Sequence, residues 1–194
     1  MRMTPRLVVS VIVVSSFVAC ANPGGTPDSA DRQSLTAPSA LTASVKQAAS
    51  TRQVTMMDAC DGPTFNLAIG PGTCGRNGGV PFSEFVAELT AHHFAGAWRN
   101  SPSQSDAWLG DGLTARNNGG ETHTFTRVAA FGGGVVPFLN DLSGTPNVAP
   151  ECTTENTFVP PGGADSEALD QVGELKFQCC IHPWMRTTIL VKSH

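Results

Sequence analysis

The stretch Phe177-Gln178-Cys179-Cys180-Ile181-His182-Pro183-Trp184-Met185 sets a cysteine, a histidine and a methionine at even three-residue steps. Cys179, His182 and Met185 offer a thiolate, an imidazole and a thioether within seven positions. Two of these donors are soft, unlike the oxygen ligands that magnesium and calcium select. Taken alone, the same residues also read as a disulfide cysteine, an ordinary histidine and a core methionine. The rest of the chain decides between the two.

Parity along the strand that leads into the motif separates the two adjacent cysteines. Neighbouring side chains of a strand face opposite sides. Leu175, Phe177 and Cys179 share the apolar side, which faces the core, while Lys176, Gln178 and Cys180 share the other. Cys179 therefore points inward and Cys180 outward. The chain has six cysteines, of which Cys20 stands near the N-terminus and five fall in the body. An odd number leaves at least one thiol outside any intramolecular pair. Cys60 and Cys74 bracket a Gly/Pro-rich loop, whose closure would be worth roughly 3 kcal/mol. An outward Cys180 then pairs with Cys152, which frees Cys179 alone. Sequence leaves this connectivity a hypothesis.

The N-terminus speaks for export. Arg2 and Arg6 precede a 13-residue apolar run from Leu7 to Ala19, interrupted only by serines. That is short for a membrane span and has the layout of a secretory signal. Its end, Phe17-Val18-Ala19-Cys20, resembles the bacterial lipobox, in which the cysteine becomes the lipidated first residue. Phe17 departs from the leucine preferred there, and ordinary cleavage after Ala21 also fits. Residues 1–20 thus read as a signal peptide of the lipoprotein type, with Cys20 as the lipidation site. Residues 21–53 are rich in Ala, Ser, Thr, Pro and Gly without periodicity and read as a disordered tether with a reach of roughly 30 Å. The expected location is periplasmic or cell-surface, anchored to a membrane through the lipid.

Residues 54–194 suffice for one core. They carry seven Lys/Arg against fourteen Asp/Glu, which argues against a nucleic-acid partner. Val54–Met57, Ala97–Asn100, Leu113–Asn117, Thr122–Thr126 and Thr187–Lys192 read as strands, the last with Ile189 and Val191 inward. Phe82, Phe85, Val86 and Leu89 recur at helical spacing and predict one helix from Ser83 to about His93. His92 and His93 at its end read as solvated residues. Asn117-Asn118-Gly119-Gly120 supplies a tight turn, after which His123 shares a face with Phe125 and looks toward the core. The Gly/Pro-rich stretch 128–174 is expected to wrap the body and to be pinned by Cys152.

An upstream inward histidine followed by C-x-x-H-x-x-M on a strand-to-strand loop resembles the cupredoxin family of blue, type 1 copper proteins. The resemblance extends from Trp98-Arg99-Asn100-Ser101-Pro102 through Gly110–Asn117 and His123–Thr126 to Phe177–Val191, with a short ligand loop most like that of amicyanin. It implies an all-β, Greek-key β-sandwich with one short helical insertion and a long Gly/Pro-rich loop. It also implies a trigonal plane of His123, Cys179 and His182, with Met185 as the long axial ligand of one copper ion. Phe177, Pro183 and Trp184 would provide the apolar surround, and the exposed edge of His182 would be the electron's exit, ringed by Pro183 and Trp184. Thr124 stands where the family often has asparagine, and its hydroxyl would brace the ligand loop.

The function expected on this basis is one-electron transfer with a redox partner protein, without an enzyme's substrate pocket. The alternative is a copper carrier or copper-stress protein with no relay role. None of the five histidines forms a His-x-His pair, which excludes the multicopper oxidase pattern. Two adjacent cysteines cannot serve as the pair three residues apart that a binuclear copper site needs. A structural zinc site would leave Met185 unexplained. A small copper reductase finds no acid/base constellation near the motif.

Overall fold

The ladders pair strands that stand far apart in the sequence. In the computed structural model, which describes residues 49–154 and 157–194, β1 (Thr51–Met57) runs parallel to β4 (Gly112–Asn117) and antiparallel to β2 (Arg99–Ser101). Adding β8 (Ala164–Ala168) completes one sheet in the order β2-β1-β4-β8. The second sheet has the order β3-β10-β9-β6, from β3 (Gln104–Trp108), β10 (Arg186–Lys192), β9 (Gly173–Gln178) and β6 (Thr126–Val128). A two-stranded ladder pairs β5 (His123–Thr124) with β7 (Phe158–Val159). The result is a mostly-β sandwich of two mixed sheets with a few short helices.

Alternation explains why the sheets face each other. Val54 and Met56 of β1, Leu113 and Ala115 of β4, Leu175 and Phe177 of β9, and Ile189 and Val191 of β10 are all buried in one cluster. Fully burying such a side chain contributes roughly 1.5–3 kcal/mol. Phe125 stacks on Phe177 with ring centroids 4.8 Å apart. Ile189 and Val191 point inward, as the pattern requires.

Several boundaries differ from the sequence-based expectation. β1 starts at Thr51, inside the stretch read as tether, because Thr51, Arg52 and Gln53 pair with β4. The expected strand at Thr122–Thr126 splits at Phe125, with β5 pairing β7 and β6 pairing β9. Two strands had no apolar signal. β3 and β8 are both edge strands, and Ala107 is the one fully buried residue between them.

Four helices replace the single insertion. The expected one is α2 (Phe82–His92), ended by His93 in a left-handed conformation. The loop between Cys60 and Cys74 holds α1 (Gly62–Ala68), whose Thr64 N–H donates to Asp61 Oδ2 at 3.1 Å, an N-cap. Within the long Gly/Pro-rich stretch lie α3 (Pro137–Leu142) and α4 (Glu151–Thr154). This stretch packs on the outer side of β9. Cys180 is buried with Val128, Ala149 and Cys152 in a second small cluster. Gln178, expected outside, is also buried, and its Oε1 accepts from Gly132 N–H at 3.0 Å. The parity is right, but at Gln178 and Cys180 the outer face meets protein and not water. No helix among the described residues is long and apolar enough to cross a membrane.

Candidate metal centre

Three elements bring His123, Cys179 and His182 together. His123 comes from β5, Cys179 follows β9, and His182 and Met185 lie in the loop entering β10. Cys179 Sγ stands 3.8 Å from Nδ1 of His123 and 3.8 Å from Nδ1 of His182. All four side chains are buried. Main-chain bonds close the loop on itself: Met185 N–H donates to His182 C=O at 2.9 Å, and Cys179 N–H donates to Met185 C=O at 3.0 Å.

The separations test whether an ion fits. Metal–sulfur and metal–nitrogen bonds of about 2.3 and 2.0 Å place S and N about 3.7 Å apart at a trigonal angle, and about 3.5 Å apart at a tetrahedral one. The 3.8 Å found on both sides suits the trigonal case. One thiolate, two imidazoles and a buried thioether suit copper.

The thiolate is prepared for a metal. Backbone N–H groups of Thr124 and His182 both donate to Cys179 Sγ at 3.4 Å. Burial pushes the thiol's pKa up, but hydrogen bonding and charge from His123 and His182 pull it well below the usual range. Thr124 Oγ1 accepts from Cys180 N–H at 2.6 Å, so the hydroxyl does brace the ligand loop.

Two buried carboxylates stand behind the histidines, and sequence reasoning missed both. Asp58 Oδ2 lies 2.9 Å from His123 Nε2. Glu121 Oε2 lies 3.7 Å from His182 Nε2 and accepts the indole N–H of Trp98. Asp58 also accepts from Gly120 N–H at 2.9 Å and Glu121 N–H at 3.0 Å. A Cβ on Gly119 would lie 1.8 Å from Asp58 Oδ2, so the turn needs glycine for this close approach. Burial raises the pKa of Asp58, but the bonds from His123, Gly120 and Glu121 prevail and hold it at about 2. Burial lowers that of His123, yet its bonds to Asp58 and Cys179 raise it to about 9. For Glu121, burial dominates and pushes the carboxyl up.

The expected electron exit needs correction. His182 is only 2 % exposed, because Glu121 and the segment carrying α1 to α3 cover the edge that was expected to face solvent. Pro183 is buried and Trp184 half-buried, its ring edge-on to His182 at 5.5 Å. Phe177 lies beneath the site, stacked on Phe125. His92 and His93 are exposed and take no part. Disulfides join Cys60 to Cys74 and Cys152 to Cys180, leaving Cys179 as the free cysteine among the described residues. The signal peptide, Cys20 and all of the tether before residue 49 lie outside the described residues.

No family model matches the chain, and no curated protein matches it. Among solved structures it is similar to a purple cupredoxin from Nitrosopumilus maritimus, with 14 % identity and a TM-score of 0.42 over 73 % of this chain and 99 % of that one. It is also similar to a Cu(I) mutant of amicyanin, with 17 % identity and a TM-score of 0.35 over 48 % of this chain and 73 % of that one. A second reduced amicyanin mutant gives 19 % identity and a TM-score of 0.35, over 51 % and 77 %. The candidate ligand set rests on the geometry of His123, Cys179 and His182, with Met185 buried in the same loop.

Proposed function

We propose that this chain is an exported cupredoxin-type protein that carries single electrons through one copper ion held by His123, Cys179, His182 and Met185. The convergence of two imidazole Nδ1 atoms on Cys179 Sγ, each at 3.8 Å, carries the reading. Bound copper supplies the chemistry, a one-electron change between Cu(I) and Cu(II).

The protein's own part is to hold the donors still. The self-closed loop, the Thr124 hydroxyl and the two carboxylates fix the ligand side chains, and burial keeps water out. A trigonal set of two imidazoles and a thiolate with a weak thioether lies between the preferences of the two oxidation states. Burial of all four ligands favours a relay over a metal carrier, which needs a route for handing the ion on. With His182 covered, Trp184 is the group through which an electron reaches the surface. Two disulfides suit an oxidising compartment, and a lipid on Cys20 would tether the domain near a membrane and its redox partner.

Optical and paramagnetic spectra of the copper-loaded protein test the assignment. An intense thiolate-to-copper charge-transfer band and a reversible potential are expected. Rapid loss of Cu(I) to a chelator would instead favour the carrier. For the anchor, fractionation of cells should find Cys20→Ala released from membranes, while wild-type protein found wholly soluble would mean ordinary secretion.

A further inference from the structure

The helices that cover His182 leave a cavity of about 240 Å³ against it. Phe65, Phe82 and Phe85 of α1 and α2 line it together with Val136 and Leu139 at α3. Its ionisable groups are Glu121 and His182 alone. A dry apolar cavity of roughly 150 Å³ already holds benzene, so this one has room for a single ring with a short substituent.

We infer that the cavity is a binding site for a small neutral phenol, its ring among the phenylalanines and its hydroxyl on Glu121. The Glu121 carboxylate is 5 % exposed. Its Oε2 is taken by Trp98, and Oε1 takes no hydrogen bond among the described residues. Oε1 is thus open to a hydrogen-bond donor, and a hydroxyl supplies one. The lining excludes the other classes. An anion would face Glu121, and a hydrated cation would lose its water to phenylalanine rings. A hydroxyl both donates and accepts, so it matches Glu121 whether or not that group carries a proton. Because the cavity belongs to the metal-free chain, the inference stands or falls apart from copper.

The test is calorimetric titration of the full-length, copper-free protein with 4-ethylphenol and with ethylbenzene. Saturable one-to-one binding of 4-ethylphenol is expected, with ethylbenzene about tenfold weaker for want of the hydroxyl. Val136→Phe should fill the cavity and abolish binding. Contacts between the ligand's ring protons and the Ile181 methyls, measured by NMR on the wild type, give an answer even if that variant does not fold. Absence of saturable binding, unchanged binding to a folded Val136→Phe, or ring contacts elsewhere would each overturn the site. Ethylbenzene binding as tightly as 4-ethylphenol would overturn the phenol assignment.

Discussion

Asp58 Oδ2 lies 2.9 Å from His123 Nε2, and neither side chain reaches solvent. A carboxylate held at about 2 only accepts, so Nε2 keeps its proton and a metal would displace the one on Nδ1, the nitrogen that faces Cys179. The bond thereby selects the tautomer that a metal requires and makes the ring a stronger donor.

Asp58→Asn should therefore raise the reduction potential of the bound copper, since a less electron-rich imidazole favours Cu(I). The amide also presents N–H groups to a pocket lined by the donors of Gly120 and Glu121. A stability loss of about 1–3 kcal/mol is expected from the spoiled bonds. Voltammetry and denaturant titration check the two effects separately. A lower potential would mean that the carboxylate does not act through His123.

The same residue sets part of the acid sensitivity. Its folded pKa of about 2 lies below the ordinary 3.8, so its contribution is fully present above about pH 4. It is lost as pH falls from there toward 2. Asp111, held at about 2 by backbone N–H groups of Trp108 and Ser50, acts in the same direction. Denaturant melts of metal-free wild type should lose stability across this window. Asp58→Asn should show a shallower slope, by about one proton. Parallel curves would assign the acid limb to other groups.

Cys179 and Cys180 are adjacent but serve different sites. Cys179→Ser should abolish the visible band, because a hydroxyl is a poor charge-transfer donor. Cys180→Ser should keep the band and lose about 2–4 kcal/mol, since it opens the bond to Cys152 that pins the long loop. A spectrum and a melt of each variant decide. Bleaching in Cys180→Ser alone would reverse the strand parity.

What could be read from sequence was what alternates or coordinates. The cluster of His123, Cys179 and His182, both disulfides, α2 and the parity of β9 follow from side-chain chemistry and a period of two or 3.6. The edge strands β3 and β8 escaped because backbone ladders, and not apolar faces, define them. The burial of Gln178 and Cys180 escaped because a loop of glycines and prolines covers them, and no local pattern says what a loop will rest on. Asp58 and Glu121 lie 65 and 61 residues from the histidines they support. Neither belongs to a motif, and only the fold brings them to the site. The unexpected cover on His182 has the same origin, in α1 and α3, which lie in stretches read as loop.

Met185→Gln should leave copper bound but lower its reduction potential. Met185 is fully buried, and its main chain is bonded to both His182 and Cys179. A side-chain change therefore leaves the loop where it is. The thioether is a soft, weak donor that stabilises Cu(I) relative to Cu(II). An amide oxygen is harder and binds Cu(II) better, so the oxidised state gains. His123, Cys179 and His182 remain as the trigonal set, and the visible band should persist at a shifted wavelength. Burial adds a second expectation, because an amide in an apolar setting costs stability unless the ion takes its oxygen. The variant should thus be less stable without metal and recover more than wild type when copper is added. Voltammetry and melts with and without copper check both. An unchanged potential with an unchanged spectrum would remove Met185 from the site and leave the axial position to another group.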